Sequence, residues 1–136
     1  MNVQLDFGAV MPKKAYKTDA GFDIFSRETK VVPARGSQTF DTGVHICLPL
    51  LTAGVLMSKS GLNVNHNITT EGVIDYGYTG SIIVKLYNNG DTYYKVEVGD
   101  KIAQLLIIPI VPVELNLVDK IDGGLRGNNG FGSSGR

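Results

Sequence analysis

Gly72-Val73-Ile74-Asp75-Tyr76-Gly77-Tyr78-Thr79-Gly80 sets one carboxylate between aliphatic residues and two tyrosines, with glycines at both ends and at Gly77. In a β-rich chain this pattern predicts a strand arriving at Ile74, a tight turn, and a second strand leaving through Ser81-Ile82-Ile83-Val84 as a hairpin. Glycines at these positions permit positive φ and close approach of a ligand to the backbone. Asp75 would then stand at a strand end with Tyr78 three residues on, both carried by a stiff element. Taken alone, the stretch reads first as an Asx-turn aspartate beside a packing tyrosine. The surrounding chain decides between the two.

Working outward, short alternating or β-branched runs recur between turn signals, and no stretch keeps a 3.6-residue period over three turns. A strand is expected at Val3–Phe7, another is entered through Thr18–Ser26, three more lie with their turns in Lys30–Pro33, Gly36–Gly43 and Val44–Pro49, and one is expected at Gly54–Met57. Further strands are expected at Ile82–Tyr87, Tyr93–Val98, Lys101–Ile108 and, last, Val111–Val118. Lys101–Ile108 reads as buried on both faces, with Gln104 the one polar side chain near its middle. A buried amide must be hydrogen-bonded or costs about 1–3 kcal/mol, so Gln104 belongs to a core network or reaches into a site.

With 136 residues, 13 basic against 13 acidic side chains and 43% apolar residues, the composition is that of one ordinary globular domain. Balanced charge gives no reason to expect nucleic acid or an anionic membrane as partner. Cys47 is the single cysteine, so no disulfide can form within the chain, which fits a reducing cytoplasm. The opening residues lack a secretory pattern, and the apolar stretch from Ile102 to Val113 is too short to span a bilayer. Cys47 is expected as a small core hydrophobe, and His45, alternating with Val44 and Ile46, as a solvent-facing strand residue. Neither has triad partners at a recognisable spacing.

Two further stretches offer chemistry. Ser58-Lys59-Ser60-Gly61 follows a strand and precedes a short helix-like run to Asn65, an arrangement able to cradle an anion. It is equally an ordinary polar loop, and the spacing of a Walker loop is absent. The last residues, from Gly123 to Arg136, are too glycine-rich to order in isolation. They form either a frayed terminus or an arm that closes on a ligand, with Arg126 meeting phosphate and Phe131 covering a base. Asp23, beside Ala20-Gly21, is a turn carboxylate or a contact to a hydrated divalent cation.

Five stretches in order, Ala20-Gly21-Phe22-Asp23, Ser58–Gly61, Gly72–Tyr78, Gly99-Asp100-Lys101-Ile102-Ala103-Gln104-Leu105 and Arg126–Gly135, resemble the five motifs of the trimeric dUTPases. The resemblance spans nearly the whole chain. It implies an all-β, β-clip fold: a distorted jelly-roll barrel, homotrimeric, with active sites at subunit junctions. Residues 1–122 would form the β domain, and 123–136 a flexible glycine-rich arm closing over a neighbouring subunit's site. The implied reaction is dUTP and water to dUMP and pyrophosphate with Mg2+, limiting uracil in DNA and supplying dUMP.

Carried onto this chain, the resemblance makes Asp75 the base that orients water, with Gln104 touching phosphate and water and Arg126 clamping the terminal phosphates. Tyr78 would pack on the deoxyribose. Backbone groups of a hairpin from Asn67 to Gly72, with Ile74, would read the uracil edge. Ser58, Lys59, Ser60 and Gly61 would hold phosphate, Asp23 would meet the waters of the metal, and Phe131, Gly132, Ser133 and Ser134 would cover the base and phosphates. Charge neutralisation then carries much of the barrier reduction, since an ordinary carboxylate is already ionised at neutral pH. Closure of the arm would expel water and strengthen those contacts.

Three departures stand out. Lys59 replaces the usual arginine, giving a point charge without the bidentate fork. The usual hairpin asparagine has only Thr69 or Thr70 nearby, and Ser134 replaces a threonine. dCTP deaminases share the trimeric fold but resemble this chain less, because Lys85 falls where they carry a catalytic glutamate. The other alternative is a regulatory role on the same scaffold, through a protein partner that the sequence does not identify.

Overall fold

The computed structural model describes residues 1–129. Its strands are β1 (Asn2–Leu5), β2 (Phe22–Phe25), β3 (Lys30–Val32), β4 (Ser37–Asp41), β5 (Val44–Cys47), β6 (Thr52–Met57), β7 (Ile68–Thr69), β8 (Glu71–Ile74), β9 (Ile83–Asn88), β10 (Tyr94–Val96) and β11 (Lys101–Pro109). The one helix among the described residues, α1 (Ser60–His66), lies between β6 and β7. Every strand pairing is antiparallel, in sheets ordered β2-β11-β6-β8, β4-β9-β7, β1-β5 and β10-β3. The all-β class is as expected, although these sheets do not close into one continuous barrel within the described residues.

Alternation explains most of the packing. Along β9, Val84, Leu86 and Asn88 are buried while Ile83, Lys85 and Tyr87 face outward, as a period of two requires. Phe40, Ile24, Leu86, Ile102, Leu105 and Val84 belong to one core cluster contributed by several sheets. β11 breaks the alternation, since Ile102 and Ala103 are adjacent and both buried. A register shift between Lys101 and Ala103 absorbs the extra residue. Beyond it Gln104 faces Asp23 on β2 and Met57 on β6.

Several expectations are corrected. The Asp75 stretch is no hairpin: β8 pairs with β6 while β9 pairs with β4 and β7, so the turn crosses between sheets. Nor is Asn67–Gly72 a hairpin, because β7 pairs with β9 and β8 with β6. Val111–Val118 forms no strand; Pro112 lacks an amide proton, and Val111, Val113, Leu115 and Leu117 are all exposed. β11 is buried at Ile102, Ala103 and Leu105, but its end at Ile108 and Pro109 is exposed. Cys47 is exposed at the end of β5, not in the core. His45 is only partly exposed and is fastened at both ring nitrogens. Among the described residues no helix is long and apolar enough to cross a membrane.

Candidate functional site

Gly72, Ile74, Asp75 and Tyr78 form one group and Asp23, Ser58, Lys59 and Gln104 another, toward opposite ends of the four-stranded sheet. The first is built by the turn after β8. The Tyr78 amide donates to the Asp75 carbonyl at 3.1 Å, closing a four-residue turn. Gly77 at its third position has φ 89°, the left-handed value that glycine adopts without strain. The Tyr78 hydroxyl then donates to the Ser81 carbonyl at 3.0 Å, which ties the ring to the chain leaving the turn. Between this turn and the sheet lies a cleft of about 230 Å³ walled by Leu56, Gly72, Val73, Ile74, Asp75, Tyr78, Ile82 and Ile83. Asp75 is exposed at this cleft, and its carboxylate has no hydrogen bond or ion pair among the described residues. An apolar slot with a free carboxylate and one aromatic wall suits a nucleoside beside an activated water.

The second group gathers where β2, β11 and the end of β6 meet. Asp23 is buried and holds two ammonium groups: Lys59 Nζ at 2.5 Å from Oδ1 and Lys101 Nζ at 2.8 Å from Oδ2. Burial alone would raise the Asp23 pKa, but hydrogen bonds from Lys101 and Lys59, with their charges, outweigh it and hold the carboxyl below its ordinary 3.8. Gln104 Nε2 donates to the Ser58 carbonyl at 3.0 Å, so the strand amide serves this group. Gly21 packs closely here: a Cβ would lie 3.3 Å from Gln104 Oε1 and 3.1 Å from Leu106 Cδ1, so these side chains would have to shift by a few tenths of an ångström. Ser58 Oγ donates to the Thr70 carbonyl at 3.0 Å and accepts the Thr70 amide at 2.9 Å, pinning the end of β6.

Lys59 precedes α1, whose first turn presents Ser60 and Gly61 to solvent. The helix, expected as one turn through Asn65, covers seven residues to His66 and is capped by Asn67 in the left-handed region at φ 56°. Arg126 lies in an exposed turn near the end of the described residues, and among them no hydrogen bond or ion pair joins its guanidinium to either group. Phe131, Gly132, Ser133 and Ser134 lie outside the described residues. Lys85 stands on the outer face of β9 with its ammonium 5.0 Å over the Tyr87 ring.

The pairing of Lys101 with Asp23 was not foreseen from sequence, because it depends on β2 and β11 meeting across a bulge. The network behind the Asp75 turn, Arg27-Asp41-Ser81 with His45 and Asp6, was also missed. Only the polar spacing of Asp41, Thr42 and Gly43 hinted at it.

Asp23→Asn should destabilise the protein by about 2 kcal/mol at neutral pH, since it leaves two ammonium groups facing each other without a counter-charge. The Asp23 pKa is lowered on folding, so the ion pairs stabilise above the unfolded value and lose that effect as pH falls through the folded one. Urea unfolding of the two proteins should therefore differ at pH 7 and converge in acid; equal midpoints at pH 7 would discard the ion-pair account.

Comparison with known proteins adds a second line. A family model described as dUTPase matches residues 8–135. A deoxyuridine 5'-triphosphate nucleotidohydrolase from Tropheryma whipplei is 42% identical over 141 residues, spanning all of this chain and 97% of the relative. The dUTPase of Staphylococcus bacteriophage 80alpha, solved with dUPNHPP, superposes with a TM-score of 0.89 at 33% identity over 99% of this chain and 98% of that one. A mutant dUTPase from phage phi11 of S. aureus, described with a coordinated structural Mg(II) ion, gives 0.82 at 31% identity over 90% of this chain and 98% of that one.

Proposed function

This chain belongs to the dUTPase family, and from that premise we propose that it hydrolyses dUTP to dUMP and pyrophosphate at sites shared between protomers of a homotrimer. The observation that carries this is Asp75, unpartnered at the mouth of the Gly72–Tyr78 cleft, in a chain aligned with the family almost throughout. Deoxyuridine occupies the cleft, with Tyr78 against the sugar and backbone groups from Asn67 through Gly72 to Ile74 along the base. Asp75 orients a water and takes its proton as the water oxygen bonds to the α-phosphorus. The α–β phosphoanhydride bond breaks and pyrophosphate leaves with the electron pair.

The phosphates lie at the second group. Lys59, Lys101 and the α1 turn at Ser60 and Gly61 supply positive charge and donors, and Gln104 reaches a phosphate oxygen. A tetra-anion of this kind needs its charge matched before it needs a strong base. The arm, residues 123–136, closes from another protomer: Arg126 clamps phosphate, Phe131 and Gly132 cover the base, and Ser133 and Ser134 offer hydroxyls.

Magnesium fits this arrangement as an ion carried by the triphosphate. Among the described residues no three side chains form a metal-binding cluster, and magnesium commonly rides on substrate phosphates and water with few protein ligands. Asp23 is the carboxylate placed to meet such waters: each of its oxygens keeps a second lone pair beside the ammonium it already holds. The bound ion would neutralise phosphate charge. A cytoplasmic setting agrees with the single exposed cysteine.

The test is pyrophosphate release from dUTP, dCTP, dTTP and UTP, each with magnesium and with chelator. Release from dUTP alone, abolished by chelation, is expected. Release from none of them would move the assignment to a regulatory protein on this scaffold.

A further inference from the structure

His45 lies on β5 behind the Asp75 turn, and both of its ring nitrogens are engaged. Nδ1 is 2.8 Å from the Thr79 carbonyl oxygen and Nε2 is 3.2 Å from Asp6 Oδ1. Both partners are acceptors, with no proton of their own to give. A neutral imidazole carries one N–H and can satisfy only one of them, so the geometry is complete only for the imidazolium. Thr79 follows Tyr78 directly, and Tyr78 is a wall of the cleft.

We propose that His45 is a positioning residue for the reaction: as an imidazolium it bridges Thr79 and Asp6 and so holds the Tyr78–Gly80 segment in place. This rests on the assignment of the cleft to deoxyuridine.

The remaining contacts of the segment leave this role open. Ser81 is tied to Asp41 and accepts the Gly43 amide, and the Ile82 amide donates to the Val44 carbonyl at 2.8 Å. Those bonds fix the chain after the segment; within it the Tyr78 amide donates to the Asp75 carbonyl and the Tyr78 hydroxyl to the Ser81 carbonyl, and none of these bonds reaches Thr79. The charged groups acting on the ring are Asp6 and Asp41, and Arg27 pairs with these two carboxylates at 3.5 and 2.6 Å. Cys47 stands two residues along the same face of β5. A shallow pocket of about 180 Å³ beside the ring, lined also by Asn2, Gln4 and Thr79, gives protons access.

The bond to the Thr79 carbonyl raises the His45 pKa above its ordinary 6.5; partial burial opposes this and Asp6 and Asp41 add to the rise. A raised folded value means that the clamp is fully present below the unfolded pKa and is lost as pH rises through the folded one. Once neutral, the ring keeps its one N–H toward the stronger acceptor, the Asp6 carboxylate, and turns a lone pair toward the Thr79 carbonyl, so the segment loosens.

The experiment measures kcat/KM for dUTP against pH for the wild type, His45→Gln and Asp6→Asn, while NMR follows the His45 ring and the Gly80 amide. In the wild type kcat/KM should fall about three- to tenfold as the ring deprotonates, the effect of one lost hydrogen bond. His45→Gln should lack that step, and Asp6→Asn should move it to lower pH. A flat profile through the His45 titration, or the same step in His45→Gln, would overturn the proposal. If the wild type hydrolyses no dUTP at any pH, the substrate assignment fails instead. The clamp is then decided by the Gly80 amide: it stands if that resonance titrates with the ring in wild type and Asp6→Asn, and falls if it does not.

Discussion

Asp75→Asn should keep its affinity for nucleotide and lose nearly all turnover. Asparagine has the shape of aspartate and retains the backbone carbonyl that accepts the Tyr78 amide, so the turn and the Gly77 conformation survive. The carboxylate it replaces has no partner among the described residues, so folding should change by less than about 0.5 kcal/mol. An amide cannot take a proton from water. Loss of a positioned general base costs about 10²- to 10⁴-fold, and kcat should fall by that amount. Calorimetric binding of a non-hydrolysable dUTP analogue should stay within about threefold of wild type, since the cleft walls are untouched. A variant that keeps its kcat would remove Asp75 from the role of base. One that loses binding along with turnover would make it a ligand of the substrate.

Which features were legible in the sequence follows from whether they are local. The strand expected at Ile82–Tyr87 is found as β9 one residue further along, because a β-rich apolar run between turn signals is a local pattern. The turn at Asp75 was equally readable, since a glycine at its third position is a local steric demand. What the turn joins was not readable. Ile74 and Ile83 belong to different sheets, and the partners that decide this, Gly54 on β6 and Asp41 on β4, lie far away in the chain. Lys101 and Asp23 likewise meet only because a bulge in β11 sets their register. Cys47 shows the limit of composition: a small apolar residue in an apolar run still ends up exposed at a strand end. The run Val111–Val118 has strand-like composition but lacks a partner among the described residues, and pairing, not composition, makes a strand.

Mixing two inactive variants should restore activity. Ile74 faces Gly54 on β6, so Asp75 lies one residue beyond that level, whereas Gln104 faces Met57. Four residues along a strand are about 13 Å, and β8 and β11 stand two strand spacings apart, about 10 Å more in the perpendicular direction. The two α-carbons are thus roughly 16 Å apart in one protomer, too far for both side chains to converge on one reacting phosphate. They can do so if Asp75 of one protomer faces Gln104 of the next, as a closed cyclic assembly allows. Asp75→Asn and Gln104→Ala should each be nearly inactive alone. In trimers assembled at random from equal amounts, a site draws an intact Asp75 half with probability one half and an intact Gln104 half with the same probability. About a quarter of sites should then be intact, and activity should return to about a quarter of wild type. The arm is unaltered in both variants, so its origin does not disturb the count. Sites contained within single chains would instead leave every one of them defective, and a mixture no more active than its parents would place the whole site in one protomer.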